Sequence, residues 1–272
     1  MTQGMPYAEV IGDPIAHSKS PLIHNFWLEK LNIEAEYRKT HVKPEGLSAY
    51  FLQRRADPDW LGCNVTIPHK IAVMEYTDDP GGVRERIGAM NTIAGETGGP
   101  LIGTNTDAGG FLQALIARKW RGEHAVIIGA GGAARAILFA LTTFGVPNIT
   151  VMARDAEKGQ ALLERAGTKG TVIGMDAPLP AVDLLVNSTS LGMTGQPDLT
   201  LDLSPLPAQA LVYDIVYAPL ETSLLVAAKA RGLATVDGLE MLIGQAALAF
   251  DIFFDADAPR EHDDELRALL TA

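Results

Sequence analysis

Short apolar runs alternate with amphipathic stretches along most of the chain. Tyr7-Ala-Glu-Val-Ile11 reads as a first strand, and Gly12-Asp13-Pro14 as the turn that follows. Ser20-Pro21 predicts a helix start, with serine as N-cap and proline at the first helical position, running to Leu31. A strand over 36–42, a helix over 45–55 and a strand over 61–67 come next. From residue 108 the rhythm is more regular. It predicts helix 108–120, strand 124–129, helix 132–144, strand 148–153, helix 155–166 and strands 170–173, 182–187 and 210–215. Helix 221–231, strand 233–236 and a mostly apolar helix over 239–254 complete it. Continuously apolar strands alternating with helices imply an α/β fold, with a parallel, doubly wound sheet in the second part.

One stretch carries more than secondary structure. In Asn64-Val-Thr-Ile-Pro-His-Lys70, an extended backbone turns alternate residues to opposite faces. Val65 and Ile67 would then anchor one side in the core. Asn64 and Thr66 would face the other, and Lys70 follows Pro68. The pattern fits a strand end that delivers an amide, a hydroxyl and an ammonium to a cleft. An ordinary surface strand with a solvated lysine fits it too.

Composition narrows the classes. With 47% hydrophobic and 20% charged residues, the chain is globular rather than disordered. No apolar run reaches the roughly 18 residues of a membrane span. The first residues lack the basic start and apolar stretch of a signal peptide, so a cytoplasmic protein is expected. The single cysteine, Cys63, excludes an internal disulfide and a cysteine-rich metal site, and it reads as a core residue. No metal is expected. The net charge of −11 argues against nucleic acid or an anionic membrane as partner. Of that charge, −6 lies in residues 239–272, which reads as a solvated helix face and tail.

Val126-Ile-Ile-Gly129-Ala130-Gly131-Gly132-Ala133-Ala134-Arg135 is an apolar strand, a glycine turn and a helix start. It fits G-x-G-x-x-A in the context that a dinucleotide site requires. The glycines permit a tight turn and close backbone approach, and the helix N-terminus offers N–H groups to a pyrophosphate. The following strand ends in Ala153-Arg154-Asp155. An acid there bonds the ribose 2′-hydroxyl of NAD, whereas an arginine pairs with the 2′-phosphate of NADP. Arg154 comes first and Lys158 lies one helical turn on, so NADP is favoured and NAD is the alternative. Asp155 can also serve as a helix cap.

Four polar clusters precede this motif. The first holds Ser18 and Ser20, spaced to face one way and suited to a carboxylate or a polyol, with His17 reading as structural. The second holds Thr66 and Lys70. The third is Gly88-Ala-Met-Asn91-Thr92, and the fourth Gly103-Thr-Asn-Thr-Asp107. Asp107 is a loop carboxylate at a domain junction or a helix N-cap. Gln245 interrupts an apolar helix, and a buried amide there needs polar partners.

These clusters, in this order before Gly129-Ala-Gly-Gly-Ala-Ala-Arg135, closely resemble the shikimate dehydrogenase family. The resemblance covers essentially the whole chain. It continues through Asp183-Leu-Leu-Val-Asn187-Ser-Thr189, Tyr213-Asp-Ile-Val-Tyr217-Ala-Pro219 and Asp237-Gly238-Leu-Glu-Met-Leu-Ile-Gly-Gln245. It implies two domains, an α/β substrate domain (1–106 and 239–272) and a Rossmann-type doubly wound dinucleotide-binding domain (107–238), with the active site in the cleft between them. The implied reaction is reversible reduction of 3-dehydroshikimate to shikimate by NADPH, on a small-molecule substrate, by a monomer or homodimer. By motif, Ser18 and Ser20 would hold the substrate carboxylate. Thr66, Lys70, Asn91, Asp107 and Gln245 would surround its ring oxygens, with Tyr217 nearby. Gly129, Ala130, Gly131, Gly132, Ala133, Arg154, Lys158 and Gly238 would line the cofactor site.

The chain departs from the family pattern at Ala108, usually glycine, at Asp13, commonly asparagine, and at Ala153-Arg154-Asp155, usually Asn-Arg-Thr. The last keeps the arginine, loses two polar adenosine contacts and gains an acid. Ketone reduction leaves charge on oxygen that a positioned donor must neutralise. Lys70 is the expected general acid/base, with Asp107 orienting it and bonding the substrate hydroxyl. Quinate/shikimate dehydrogenase using NAD is the enzymatic rival, since quinate adds one hydroxyl. A non-catalytic nucleotide sensor is the rival of another class, and intact Lys70 and Asp107 speak against it.

Overall fold

The computed structural model describes residues 4–272. In chain order the main elements are β1 (Tyr7–Gly12), α1 (Ser20–Leu31), β2 (Glu36–His41), α2 (Leu47–Arg55), β3 (Trp60–Val65), α3 (Val83–Arg86), β4 (Thr92–Gly95) and β5 (Leu101–Thr104). There follow α4 (Asp107–Ala117), β6 (His124–Ile128), α5 (Gly132–Phe144), β7 (Asn148–Met152), α6 (Ala156–Arg165), β8 (Gly170–Ile173) and β9 (Leu184–Asn187). Then come β10 (Leu211–Asp214), α7 (Ser223–Ala230), β11 (Ala234–Val236), α8 (Gly238–Phe254) and α9 (Asp263–Thr271). Among the described residues no helix is long and apolar enough to cross a membrane.

The chain divides into two compact units. One runs up to Thr106 and resumes at Gln245–Ala272; the other is Asp107–Gly244. The first holds a mixed five-stranded sheet in the order β2-β1-β3-β4-β5. Its first three strands are parallel, while β3–β4 and β4–β5 are antiparallel. The second holds a six-stranded sheet, β11-β10-β9-β6-β7-β8, parallel throughout. This is the doubly wound arrangement, and its strands are apolar because helices cover both faces.

Several boundaries differ from the sequence expectation. The third strand ends at Val65, not at 67. Ile67 is 68% exposed, so it anchors nothing in the core, while Val65 is buried. The cause is Pro68, which has no N–H to donate to a ladder, so residues 66–70 fold into a turn in which His69 N–H bonds the Thr66 carbonyl. At the start of α1, Lys19 rather than Ser20 is the N-cap residue, and the Ser18 hydroxyl accepts from Ser20 N–H. β4 and β5 are strands that the sequence reading did not place. The acidic tail contains α9, whose Leu266 and Leu270 are buried. Its Asp263, Asp264 and Glu265 occupy the first turn, where the helix dipole favours negative charge.

The first unit packs Ala249 and Phe253 of α8 with Ala8, Val10 and Tyr37. The opposite face of the sheet buries Tyr7, Ile11, Cys63 and Val65 with α2 residues Tyr50 and Phe51. Burial pushes the Cys63 thiol well above its usual range, as suits an inert core residue. Glu9 is fully buried and compensated by the Arg54 guanidinium at 2.6 Å, the Tyr50 hydroxyl at 2.7 Å and the Thr40 hydroxyl. A buried carboxylate persists only with such partners.

His24 is a second buried polar group in this unit. It stacks on Tyr37, with ring centroids 3.9 Å apart and planes 4° from parallel, and neither ring nitrogen has a hydrogen-bond partner among the described residues. Burial lowers its pKa to about 3, so the ring is neutral in the fold. The unfolded chain takes up a proton near pH 6.5, and the native state resists doing so. Stability is therefore full above pH 6.5 and is lost as pH falls toward 3, by about 3 kcal/mol at pH 4. Urea titrations at pH 7 and pH 4 should show that loss in the parent chain. His24→Phe should lose about that much less over the same interval.

Candidate functional site

In the first unit, the polar clusters meet beyond the C-terminal ends of the parallel strands. After β1, Asp13 N–H bonds the Ile67 carbonyl at 3.0 Å, joining the loop that leads to Ser18 and Ser20 to the turn after β3. Thr66 N–H bonds the Ile11 carbonyl at 3.0 Å. The His69 ring, almost fully buried, reaches the Val42 carbonyl at 2.6 Å and pins the same turn to the end of β2. The Lys70 carbonyl accepts from Met90 N–H at 2.7 Å, one residue before Asn91. Lys70 and Thr66 are half-buried, Ser20 is buried, Ser18 is half-buried and His17 is exposed.

Behind this loop edge lies a buried cluster of Tyr37, Asn64, Asn91, Thr92, Thr106 and Gln245, with Gln245 8% exposed and the others less so. Two backbone groups dictate its polarity. Thr106 N–H can only donate, and it meets Asn91 Oδ1 at 2.7 Å. Asn91 Nδ2 therefore faces the other way, donating to Thr106 Oγ1 at 3.0 Å and to Gln245 Oε1 at 3.4 Å. The Asn91 carbonyl can only accept, and it takes Asn64 Nδ2 at 3.2 Å. Asn64 Nδ2 also reaches Thr92 Oγ1 at 2.9 Å, and that hydroxyl donates to Asn91 Oδ1 at 3.0 Å. Asn64 Oδ1 is left to accept from the Tyr37 hydroxyl at 2.6 Å. Burial raises the Tyr37 pKa well above its ordinary value, so the phenol stays a donor. The sequence reading had turned Asn64 toward a cleft beside Thr66. Its amide is instead 5% exposed and committed to this cluster. Tyr37, Thr92, Thr106 and His69 carry the arrangement without having been singled out; Thr92, Thr106 and His69 stand next to Asn91, Asp107 and Lys70, whereas nothing near Tyr37 in the sequence signals its part.

In the second unit, the glycine turn follows β6. Gly129 has φ of 107°, and a Cβ there would lie 2.8 Å from Ser188 Oγ and from Thr189 Cγ2, so glycine is required twice over. Gly131 is the extended N-cap residue of α5; among the described residues nothing lies within 4 Å of where its Cβ would be, and no side chain caps the helix. Open space above an uncapped helix N-terminus fits a pyrophosphate. Ala130 and Ala133 are half-buried beside it. At the end of β7, Ala153 is buried while Arg154, Asp155 and Lys158 are exposed. Asp155 caps α6, accepting from Lys158 N–H at 3.1 Å.

The neighbouring strand ends are tied by a carboxylate. Asp214 is fully buried and accepts from Asn187 Nδ2 at 2.9 Å, Thr222 Oγ1 at 2.7 Å and Val216 N–H at 3.0 Å. Burial pushes its pKa up, and the three donors act against that shift. Asn187 Oδ1 in turn accepts from both the N–H and the hydroxyl of Thr189. Tyr217, three residues beyond Asp214, is half-buried, and burial raises its pKa. Gly238 starts α8 hard against this segment; a Cβ would sit 2.4 Å from the Ile215 carbonyl oxygen and 2.5 Å from that of Val216. Asp107 is the first residue of α4, 5% exposed, where the helix dipole favours its charge.

Comparison with known proteins adds a second line. Residues 10–93 match the family described as shikimate dehydrogenase substrate binding domain, 112–193 shikimate / quinate 5-dehydrogenase, and 238–263 the shikimate 5'-dehydrogenase C-terminal domain. A shikimate dehydrogenase (NADP(+)) of Sphingopyxis alaskensis is 61% identical over 267 residues, covering 98% of this chain and 97% of that protein. The crystal structure of shikimate 5-dehydrogenase from Thermus thermophilus, in complex with NADP(H) and shikimate, is 35% identical with a TM-score of 0.87. That match covers 98% of this chain and 100% of that one. Quinate dehydrogenase from Corynebacterium glutamicum, in complex with NAD, is 28% identical with a TM-score of 0.88, over 97% and 99% of the two chains.

The buried cluster makes its own demand. Asn64→Leu removes the acceptor of the Tyr37 hydroxyl and the donor to Asn91 and Thr92, leaving buried polar groups unmatched. A loss of about 2–4 kcal/mol is expected. Urea unfolding of the variant checks it; a change below about 0.5 kcal/mol would mean that the amide is idle.

Proposed function

The chain belongs to the shikimate dehydrogenase family, and we propose that Lys70 and Asp107 carry its chemistry. The reaction is the reversible NADPH-dependent reduction of 3-dehydroshikimate to shikimate. The rival reading as an NAD-dependent quinate enzyme is the weaker one, since the 61% identical relative is an NADP-dependent shikimate dehydrogenase and the quinate enzyme is 28% identical.

The observation that carries the assignment of Lys70 is its tether. The turn that bears it is bonded to the ends of β1 and β2 and to Met90, next to Asn91, so a flexible side chain stands on a fixed base. Bound NADPH supplies the hydride. As charge develops on the substrate oxygen, the Lys70 ammonium stabilises it and delivers the proton. In oxidation the neutral amine takes the proton back. Asp107 bonds the substrate hydroxyl and orients the lysine.

The substrate carboxylate falls to Ser18 and Ser20, and the ring oxygens to Thr66, Asn91, Gln245 and Tyr217. Gln245 Oε1 accepts from Asn91 Nδ2 and Thr106 Oγ1, which sets the orientation of its amide. Gly129 to Ala133 take the pyrophosphate of the nucleotide, Arg154 with Lys158 the 2′-phosphate, and Gly238 lines the cofactor site. In this reading residues 1–106 with 239–272 serve the substrate, and 107–238 serve the nucleotide.

Lys70→Ala should lower kcat by about 100- to 10,000-fold while shikimate Kd changes little. Asp107→Ala should impair both. Nicotinamide absorbance, read with shikimate or quinate and with NADP+ or NAD+, should show the highest kcat/KM for shikimate with NADP+. A near-normal kcat in Lys70→Ala would remove that residue from the chemistry.

A further inference from the structure

We propose that Asp155 sets how far this chain prefers a 2′-phosphorylated nucleotide, acting as a counter-charge at the 2′-phosphate subsite rather than as a ribose ligand. The inference rests on the reading of Arg154 and Lys158 as partners of that phosphate.

Both oxygens of the carboxylate are in use within its own helix turn. Asp155 Oδ1 accepts from Lys158 N–H at 3.1 Å, as the N-cap of α6, and Oδ2 lies 3.3 Å from Lys158 Nζ. A ribose diol would have to share these two oxygens with the cap and the ammonium. The cap and the ammonium also hold the carboxyl below its usual range, so it is ionised at neutral pH. Arg154, one residue earlier, is exposed and has no hydrogen-bond or ion-pair partner among the described residues.

The chemistry then has a definite sign. A 2′-phosphate brings close to two negative charges. Beside it the chain offers two cations and one anion, and the anion is already paired with one of the cations. Lys158 must share its charge between Asp155 and the phosphate, and Asp155 repels the phosphate directly. A ribose 2′-hydroxyl has no charge and feels neither effect. Asp155 therefore narrows the gap between the phosphorylated and unphosphorylated nucleotides without touching either.

Two variants keep a cap acceptor and remove the charge: Asp155→Asn and Asp155→Ser. Calorimetric titration of the full chain with 2′,5′-ADP and with 5′-AMP, at low salt, reads the two nucleotide classes without turnover. Both variants should bind 2′,5′-ADP about three- to tenfold more tightly, with 5′-AMP unchanged and the gain shrinking as salt rises. Unchanged or weaker 2′,5′-ADP binding in both variants would overturn the inference, and so would weaker 5′-AMP binding, which would make Asp155 a ribose ligand. Arg154→Ala separates the inference from the reading beneath it. That variant should lose most of the preference for 2′,5′-ADP over 5′-AMP; if it loses none, the subsite itself is misassigned and the inference falls with it.

Discussion

Where β3 meets β4, the carbonyl of Asn91 accepts from both Val65 N–H at 2.7 Å and the Asn64 side chain at 3.2 Å. The amide of the same Asn91 is held by Thr106 N–H. A buried amide has one satisfied orientation once a backbone group faces it, and here two backbone groups face two amides. Everything downstream inherits that polarity. Gln245 can offer only its oxygen inward, the Tyr37 phenol must donate, and Thr92 relays between Asn64 and Asn91. Met90, the residue before, fixes the Lys70 carbonyl. The cluster thus holds a rigid floor under a long, flexible side chain, which is what proton delivery to a defined oxygen requires.

The second unit solves a similar problem by a different route. Its sheet is parallel throughout, so the strand ends all open at one edge and their loops must be tied sideways. Asp214 does this with neutral donors from Asn187, Thr222 and Val216. The Ser188 hydroxyl bonds the Ile128 carbonyl at 2.6 Å, which brings the Asn187–Thr189 segment beside the glycine turn. At Gly129 and Gly238 the backbone approaches its neighbours too closely for any Cβ. Open space remains at Gly131, where backbone N–H groups can meet an anion.

Electrostatics follow burial more than composition. The net charge of −11 says little about the sites, because the acids cluster near the C-terminus and several sit in the first turn of α9. Buried carboxylates tell more. Glu9 survives through Arg54, Tyr50 and Thr40, while Asp214 survives on neutral donors. Asp155, exposed and serving as the cap of α6, keeps its charge beside Lys158.

Much of this was legible along the chain, because helix and strand periods, proline and glycine punctuation and the glycine-rich turn are local properties of the backbone. The alternation of elements, the parallel second sheet and the family likeness needed nothing more. Legibility failed where a partner comes from far away in sequence. Ile67 is a separate, local case: alternation made it look like a core anchor, but Pro68, the very next residue, ends the ladder and leaves it exposed. Asn64 looked like a cleft residue, yet its partners lie 27 and 28 residues away, and those of Asn91 reach to Gln245, 154 residues on. Sequence alone determined which elements form and which residue types arrive at their ends. Only the tertiary structure decided which of those groups are spent on one another and which remain for a ligand, because a hydrogen bond is satisfied in space, between atoms that local sequence does not bring together.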